Sequence, residues 1–260
     1  MSKQQALDLL DEFEARSAFK AFKRLDRGTV ASDLRARVNN PFLISQGTKA
    51  GVCGPSAVAF ELLKARPFTY VLAATRLFEL GFAIINKWEI KPDNDLLTAP
   101  CPATVAQGDW VVLASIRDSE NWFWDFHEDV SDDSANTTLR EIEDWMKKAG
   151  YTDIKREEGL TNIFDKTKMF NNALSLYSND NYQVILRINA SCIDSEIPSA
   201  PIAGNHVVVL VGDYKPPASK SDTVSIPIYT WGQRLNIPRK GGLTYGQFLD
   251  QFFGYVAAKW

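Results

Sequence analysis

The chain has 260 residues, with 29 Lys and Arg against 32 Asp and Glu, and a net charge of -3. At 45% hydrophobic and 23% charged residues it has the composition of an ordinary folded domain, which excludes a disordered, collagenous or coiled-coil chain. No basic excess is present to hold a phosphate backbone, so nucleic acid is not an expected partner. Scarce residues narrow the chemistry further. Only His127 and His206 supply imidazole, and only Cys53, Cys101 and Cys192 supply thiols. Three cysteines cannot all pair within one chain, and no CxxC spacing is present, so neither a disulfide scaffold nor a zinc site is expected. No cofactor is expected either.

The amino-terminal segment has no unbroken apolar core and no small-residue cleavage site, so it does not read as a signal peptide. Residues 3–24 place Ala6, Leu9, Leu10, Phe13, Phe19 and Phe22 at helical spacing, which predicts one amphipathic helix. Asn39-Asn40-Pro41 breaks that pattern, and residues 42–51 read as a loop. A second helix is expected near Pro55, ending before Pro67, and a third over residues 69–88. The longest apolar stretch, residues 68–85, is interrupted by Arg76 and Glu79, so no membrane span is expected. The chain would be made in the cytoplasm, and export would need a route that reads no N-terminal signal.

Residues 91–107 read as a loop, and residues 109–115 as a short strand. The polar run Ser115-Ile116-Arg117-Asp118-Ser119-Glu120-Asn121-Trp122 fits a solvated loop with Trp anchors. It also fits a substrate cleft in which Asp118 and Asn121 meet the substrate and Trp122 and Trp124 form walls. His127 lies in an acidic stretch, Asp125-Phe126-His127-Glu128-Asp129, which reads as a solvated turn and lacks ordered ligand spacing.

Thr138-Leu139-Arg140-Glu141 is a capping box that starts a helix burying Leu139, Ile142, Trp145 and Met146 and stopping at Gly150. Residues 166–178 suggest another helix. Residues 182–188, 206–211 and 224–230 are rich in Val, Ile and Tyr and read as adjacent antiparallel strands. A second capping box, Thr244-Tyr245-Gly246-Gln247, starts a helix carrying Phe248, Leu249, Phe252 and Phe253. Helices first and strands last favour an α+β fold. The expected arrangement is a single domain, residues 1–260, with a helical part to about residue 180 packed on a C-terminal antiparallel sheet.

Two segments carry the chemistry. Cys53 stands between a glycine-bearing loop and a helix start, in Gln46-Gly47-Thr48-Lys49-Ala50-Gly51-Val52-Cys53-Gly54-Pro55-Ser56. Helix N-termini favour thiolate over thiol, so this is a place for a reactive cysteine, and equally for a buried structural one beside a cap. His206 begins an otherwise apolar strand in Gly204-Asn205-His206-Val207-Val208-Val209. It is either a satisfied structural histidine or a base on a rigid platform, the partner that a thiol nucleophile needs. Cys101, between two prolines, and Cys192, after Asn189-Ala190-Ser191, read as structural or incidental.

Together the two segments resemble the papain-like cysteine peptidase superfamily. Cys53-Gly54-Pro55 is similar to the CGP signature of bacteriocin-processing C39-like peptidases. The resemblance implies Cys53 as nucleophile and His206 as general base and later general acid. It implies that Gln46 donates its side-chain amide to an oxyanion hole, with the Cys53 N–H as the other donor. The residue that orients the imidazole, usually Asn or Asp, falls at Tyr229 or at Thr230, depending on whether the papain-type or C39-type strand is matched. Neither is a carboxamide or carboxylate, and Gln233 or a backbone carbonyl are the alternatives. Trp231-Gly232 resembles the tryptophan that shields the orienting bond, and Trp231 would also border the substrate.

The implied activity is hydrolysis of a protein or peptide amide by a peptidase, amidase or deamidase. The resemblance further implies a bacterial effector or toxin exported by a dedicated secretion system, with an immunity protein as partner. A papain-like shell that binds without turnover stays open here, as does acyl transfer of transglutaminase-like type.

Overall fold

The computed structural model describes residues 2–47, 51–120, 137–159, 163–197 and 204–260. These form a mixed α+β structure that divides into two compact units. The first unit comprises Met1–Ala135, Lys148–Gly150 and Trp231–Gln233. The second comprises Asn136–Lys147, Tyr151–Thr230 and Arg234–Trp260.

In the first unit, helix α1 (Lys3–Ala15) opens with a capping box. The Ser2 hydroxyl accepts from the Gln5 amide, and the Gln5 side chain accepts from Ser2 N–H. The helix stops at Ala15 instead of continuing to residue 24. Arg27 accounts for the difference. Its guanidinium donates to the carbonyls of Phe13, Ala18 and Phe19 and to Glu79 Oε1 at 2.6 Å, while stacking over Phe13 and Phe78. Carbonyls that a longer helix would use internally are taken by one side chain. Phe22 is buried as the spacing suggests, but Phe19 is 70% exposed at a positive φ.

Helix α2 (Arg27–Asn39) is capped by Asp26. A 3₁₀ turn (Pro41–Leu43) follows, and then α3 (Cys53–Ala65) and α4 (Pro67–Leu80). The third helix ends eight residues short of the expected limit. Gly81 closes it in the left-handed conformation, φ 73°. Beyond it the period changes to two, and β1 (Ala83–Ile85) pairs with β2 (Trp88–Ile90) as an antiparallel hairpin. A short helix, α5 (Asn94–Thr98), interrupts the expected loop.

The expected strand at 109–115 is instead part of α6 (Gln107–Glu120). Every residue from 108 to 117 is buried. A helix enclosed on all sides shows no amphipathic period, and its Val111-Val112 pair imitates a strand.

In the second unit, α7 (Leu139–Ala149) starts at the expected capping box, with Thr138 and Glu141 bonded reciprocally. Leu139, Ile142, Trp145 and Met146 are all buried. After β3 (Thr152–Glu158) and α8 (Ile163–Asp180) come β4 (Gln183–Ile188), β5 (His206–Leu210), β6 (Ile226–Thr230) and β7 (Gln233–Ile237). Helix α9 (Tyr245–Asp250) and β8 (Phe252–Lys259) close the chain.

The six strands form one sheet in the order β3-β8-β4-β5-β6-β7. The three expected strands are neighbours and antiparallel, as read. The C-terminal capping box also forms, but its helix ends at Asp250. Phe252 and Phe253 therefore belong to β8, which lies between β3 and β4. Phe170 of α8 meets Phe248 at 4.8 Å and Phe252 at 5.3 Å between ring centroids, closing an aromatic core over the sheet.

Candidate active site

Cys53 is the first residue of α3 and is 6% exposed. Val52 caps the helix without a side-chain hydrogen bond. No acidic residue lies in the first turn, so the partial positive charge of the helix start is not offset there. Pro55 sits where a helix amide has no internal acceptor, so the missing N–H costs nothing. Residues 53–63 are buried throughout. The helix that carries the thiol is thus fixed by packing along its length, not by one amphipathic stripe.

Gln46 belongs to the same unit and is nearly buried, at 9% exposure. Its chain neighbours are pinned on both sides. The Ser45 N–H donates to Asp109 Oδ2 at 3.0 Å, and Gly47 N–H donates to Ser45 Oγ at 3.2 Å. Gly47 has φ 59°, and a Cβ there would stand 2.2 Å from the Thr104 carbonyl oxygen. Only glycine fits that approach. Phe42 packs on Phe60 of α3 at 5.2 Å, tying the segment before Gln46 to the helix that begins with Cys53.

Asp109 is wholly buried and receives two hydrogen bonds from Arg37, at 3.0 and 2.8 Å. Burial pushes its carboxyl above the ordinary range, against the pull of Arg37 and of the Ser45 amide. Arg37 and Asp109 escaped the sequence reading because Asp109 was placed in a strand. An acidic residue just inside a helix start was the available signal.

In the second unit His206 is 5% exposed, at the first position of β5. Its Nε2 lies 2.7 Å from Thr230 Oγ1, which is itself 4% exposed. The strand register explains the meeting. Val209 pairs with Tyr229, so Thr230 falls opposite Val208, and His206 is the diagonal neighbour on the same face. The approach to the strand is equally constrained. Asn205 Oδ1 accepts from the Ala190 amide at 2.8 Å, and Arg187 Nε donates to the Gly204 carbonyl at 3.0 Å. A Cβ on Gly204 would lie 2.7 Å from the Ile188 carbonyl oxygen and 2.8 Å from the Phe253 ring. Burial pushes the His206 imidazole down from 6.5 to about 4, so the ring is neutral at neutral pH. Of the proposed orienting positions, the structure sets Thr230 against the ring.

Cys53, Gln46 and Trp231 belong to the first unit, and His206 and Thr230 to the second. Trp231 and Gly232 both have positive φ, 49° and 73°. They form the two-residue turn between β6 and β7, and a left-handed tryptophan is a strained choice there. Asp118 lies on α6, where its carboxylate accepts from the Asp93 amide at 2.7 Å. Ser119 accepts from the Lys91 amide, and Glu120 from the Trp88 indole. The polar run at the end of α6 thus holds β2 and the chain just after it. Asn121, Trp122, Trp124 and His127 lie outside the described residues.

Cys101 and Cys192 are held as neutral thiols at neutral pH. Burial, with Asp33 and Asp109 nearby, pushes Cys101 up to about 11, and burial pushes Cys192 up to about 12. No described helix is long and apolar enough to cross a membrane. Comparison with family models, with curated proteins and with solved structures yields no match.

Proposed function

We propose that the chain is a cysteine hydrolase of papain-like type, acting on a protein or peptide amide. The observation that carries this reading is the His206–Thr230 contact, 2.7 Å between neighbouring strands. A buried imidazole with a hydroxyl on one nitrogen is held in a fixed plane. If Nε2–H donates to Thr230, Nδ1 is the nitrogen left to take a proton, as a general base requires. Cys53 supplies the nucleophile at a helix start, where developing negative charge on sulfur is favoured.

In this mechanism the Cys53 sulfur attacks the substrate carbonyl carbon as His206 Nδ1 takes the thiol proton. The carbonyl π electrons move to oxygen, and the Gln46 amide and the Cys53 N–H stabilise that oxyanion. Collapse breaks the C–N bond, and the imidazolium gives its proton to the leaving amine. Water then attacks the thioester, with His206 again as base, releasing acid and free thiol. Because burial keeps His206 neutral at neutral pH, the resting groups are imidazole and thiol, and the proton moves during attack. The same reading makes the chain a bacterial effector or toxin, exported by dedicated machinery and neutralised by an immunity protein.

Iodoacetamide labelling with peptide mapping tests the proposal. Cys53 should react faster than Cys101, Cys192 and a denatured reference, and His206→Ala should slow it selectively. Equal rates at Cys53 and in the denatured chain would overturn the reading.

A further inference from the structure

We infer that Asp109, held by Arg37, is the positioning residue of the oxyanion hole: it fixes the Gln46 segment through the Ser45 amide. This rests on the hydrolase reading above and adds to it a residue remote from the thiol in sequence.

Four observations converge. Asp109 is completely buried, and a buried carboxylate needs a full set of partners. Arg37 supplies two bonds from α2, and the third partner is a single backbone N–H, that of Ser45. Asp33, one turn before Arg37, accepts from the Gly108 amide at 3.0 Å and lies 3.8 Å from Arg37, so the two helices and the pair form one polar cluster. The next residue after Ser45 is Gln46, and the residue after that is locked against Thr104 by its positive φ.

An ordinary loop would satisfy the Ser45 amide with water. Here the bond ends on a desolvated, charge-paired carboxylate, a stronger and more directional acceptor. A side-chain amide that must meet an oxyanion gains from such fixed backbone on both sides, because catalytic donors lose effect when misplaced by about 1 Å.

The test separates chemistry that develops an oxyanion from chemistry that does not. Acylation by p-nitrophenyl acetate builds charge on a carbonyl oxygen. Alkylation by iodoacetamide displaces iodide at carbon and builds none. Both rates are read at Cys53 by intact-mass and peptide analysis, for wild type, Gln46→Ala, Asp109→Asn and the double variant Arg37→Met/Asp109→Leu. The double variant removes the acceptor together with its buried cation, so no lone charge is left at the Asp109 position, and Asp33, 21% exposed, keeps its bond from the Gly108 amide. Removing one oxyanion donor typically costs about 10²–10³-fold, so Gln46→Ala should slow acylation on that scale. The two Asp109 variants should slow it by roughly 10-fold or more, with alkylation changed by less than about 3-fold.

Acylation unchanged in the Asp109 variants but slowed in Gln46→Ala would overturn this inference and leave the hydrolase reading standing. Parallel loss of acylation and alkylation would also overturn it, since that marks general damage. Absence of wild-type acylation at Cys53, or no effect of Gln46→Ala, would remove the hydrolase reading and this inference with it.

Discussion

Burial of His206 makes folding stability depend on pH in a specified direction. The unfolded chain's imidazole titrates near 6.5, and the folded one at about 4. Between those values the unfolded state binds the extra proton, so stability falls as pH drops through 6.5 and the loss is complete near 4. At roughly 1.4 kcal/mol per pH unit the gap amounts to about 3 kcal/mol. Glu61 acts oppositely. Burial raises its carboxyl from 4.5 to about 7, despite Lys64 at 3.3 Å, so stability falls as pH rises through that window. The two trends overlap and partly cancel in the wild-type curve. The informative quantity is therefore the difference between wild type and His206→Gln, measured by urea unfolding from about pH 7 to about pH 4. The wild type should lose about 3 kcal/mol relative to the variant over that range. Curves that remain parallel within about 0.5 kcal/mol would refute a buried neutral imidazole.

Other consequences are separately measurable. Thr230→Val should cost about 1–3 kcal/mol by stranding a buried ring nitrogen and should lower kcat more than it changes KM, while Thr230→Ser should restore both. Glu61→Gln should remove the fall in stability with rising pH, leaving the His206 rise uncompensated so that the curve climbs more steeply between about pH 4.5 and 6.5, and should raise the urea midpoint at neutral pH. Gly47→Ala forces a Cβ against the Thr104 carbonyl at positive φ, a strain of about 1–3 kcal/mol. Its melting temperature should drop, and Cys53 acylation should fall further than Cys53 alkylation. Cys53→Ala should abolish turnover with the melting temperature nearly unchanged; an equal loss of stability would favour a structural cysteine.

Elements whose ends carry chemistry were legible from sequence. Both capping boxes, at Thr138 and Thr244, mark helix starts because the signal lies in the bonds themselves. The strands at 183–188, 206–210 and 226–230 were legible from their β-branched runs. What failed depended on distant partners. Nothing near residue 16 announces that Arg27 will take the carbonyls of Ala18 and Phe19. Nothing in 109–115 separates an enclosed helix from a strand. Strand β3 reads Thr-Asp-Ile-Lys-Arg-Glu-Glu, without the apolar alternation of a half-buried strand, and exists because β8 pairs with it. The Thr230 position came from sequence as one of several orienting candidates, and its bond to His206 became visible only with the strand register. Asp109 was hidden because its partners, Arg37 and Ser45, lie 72 and 64 residues away.

The same β3 has a consequence for the protein in concentrated solution. It is an edge of the six-stranded sheet, and an exposed edge is a template on which another chain can polymerise. This one is armoured with charge: Lys155 pairs with Asp153, and Arg156 with Glu143 and Glu158. An incoming strand would have to strip water from that row and break its ion pairs before making a single ladder bond. Fibre growth is therefore opposed at this side of the sheet, even where many copies are crowded together.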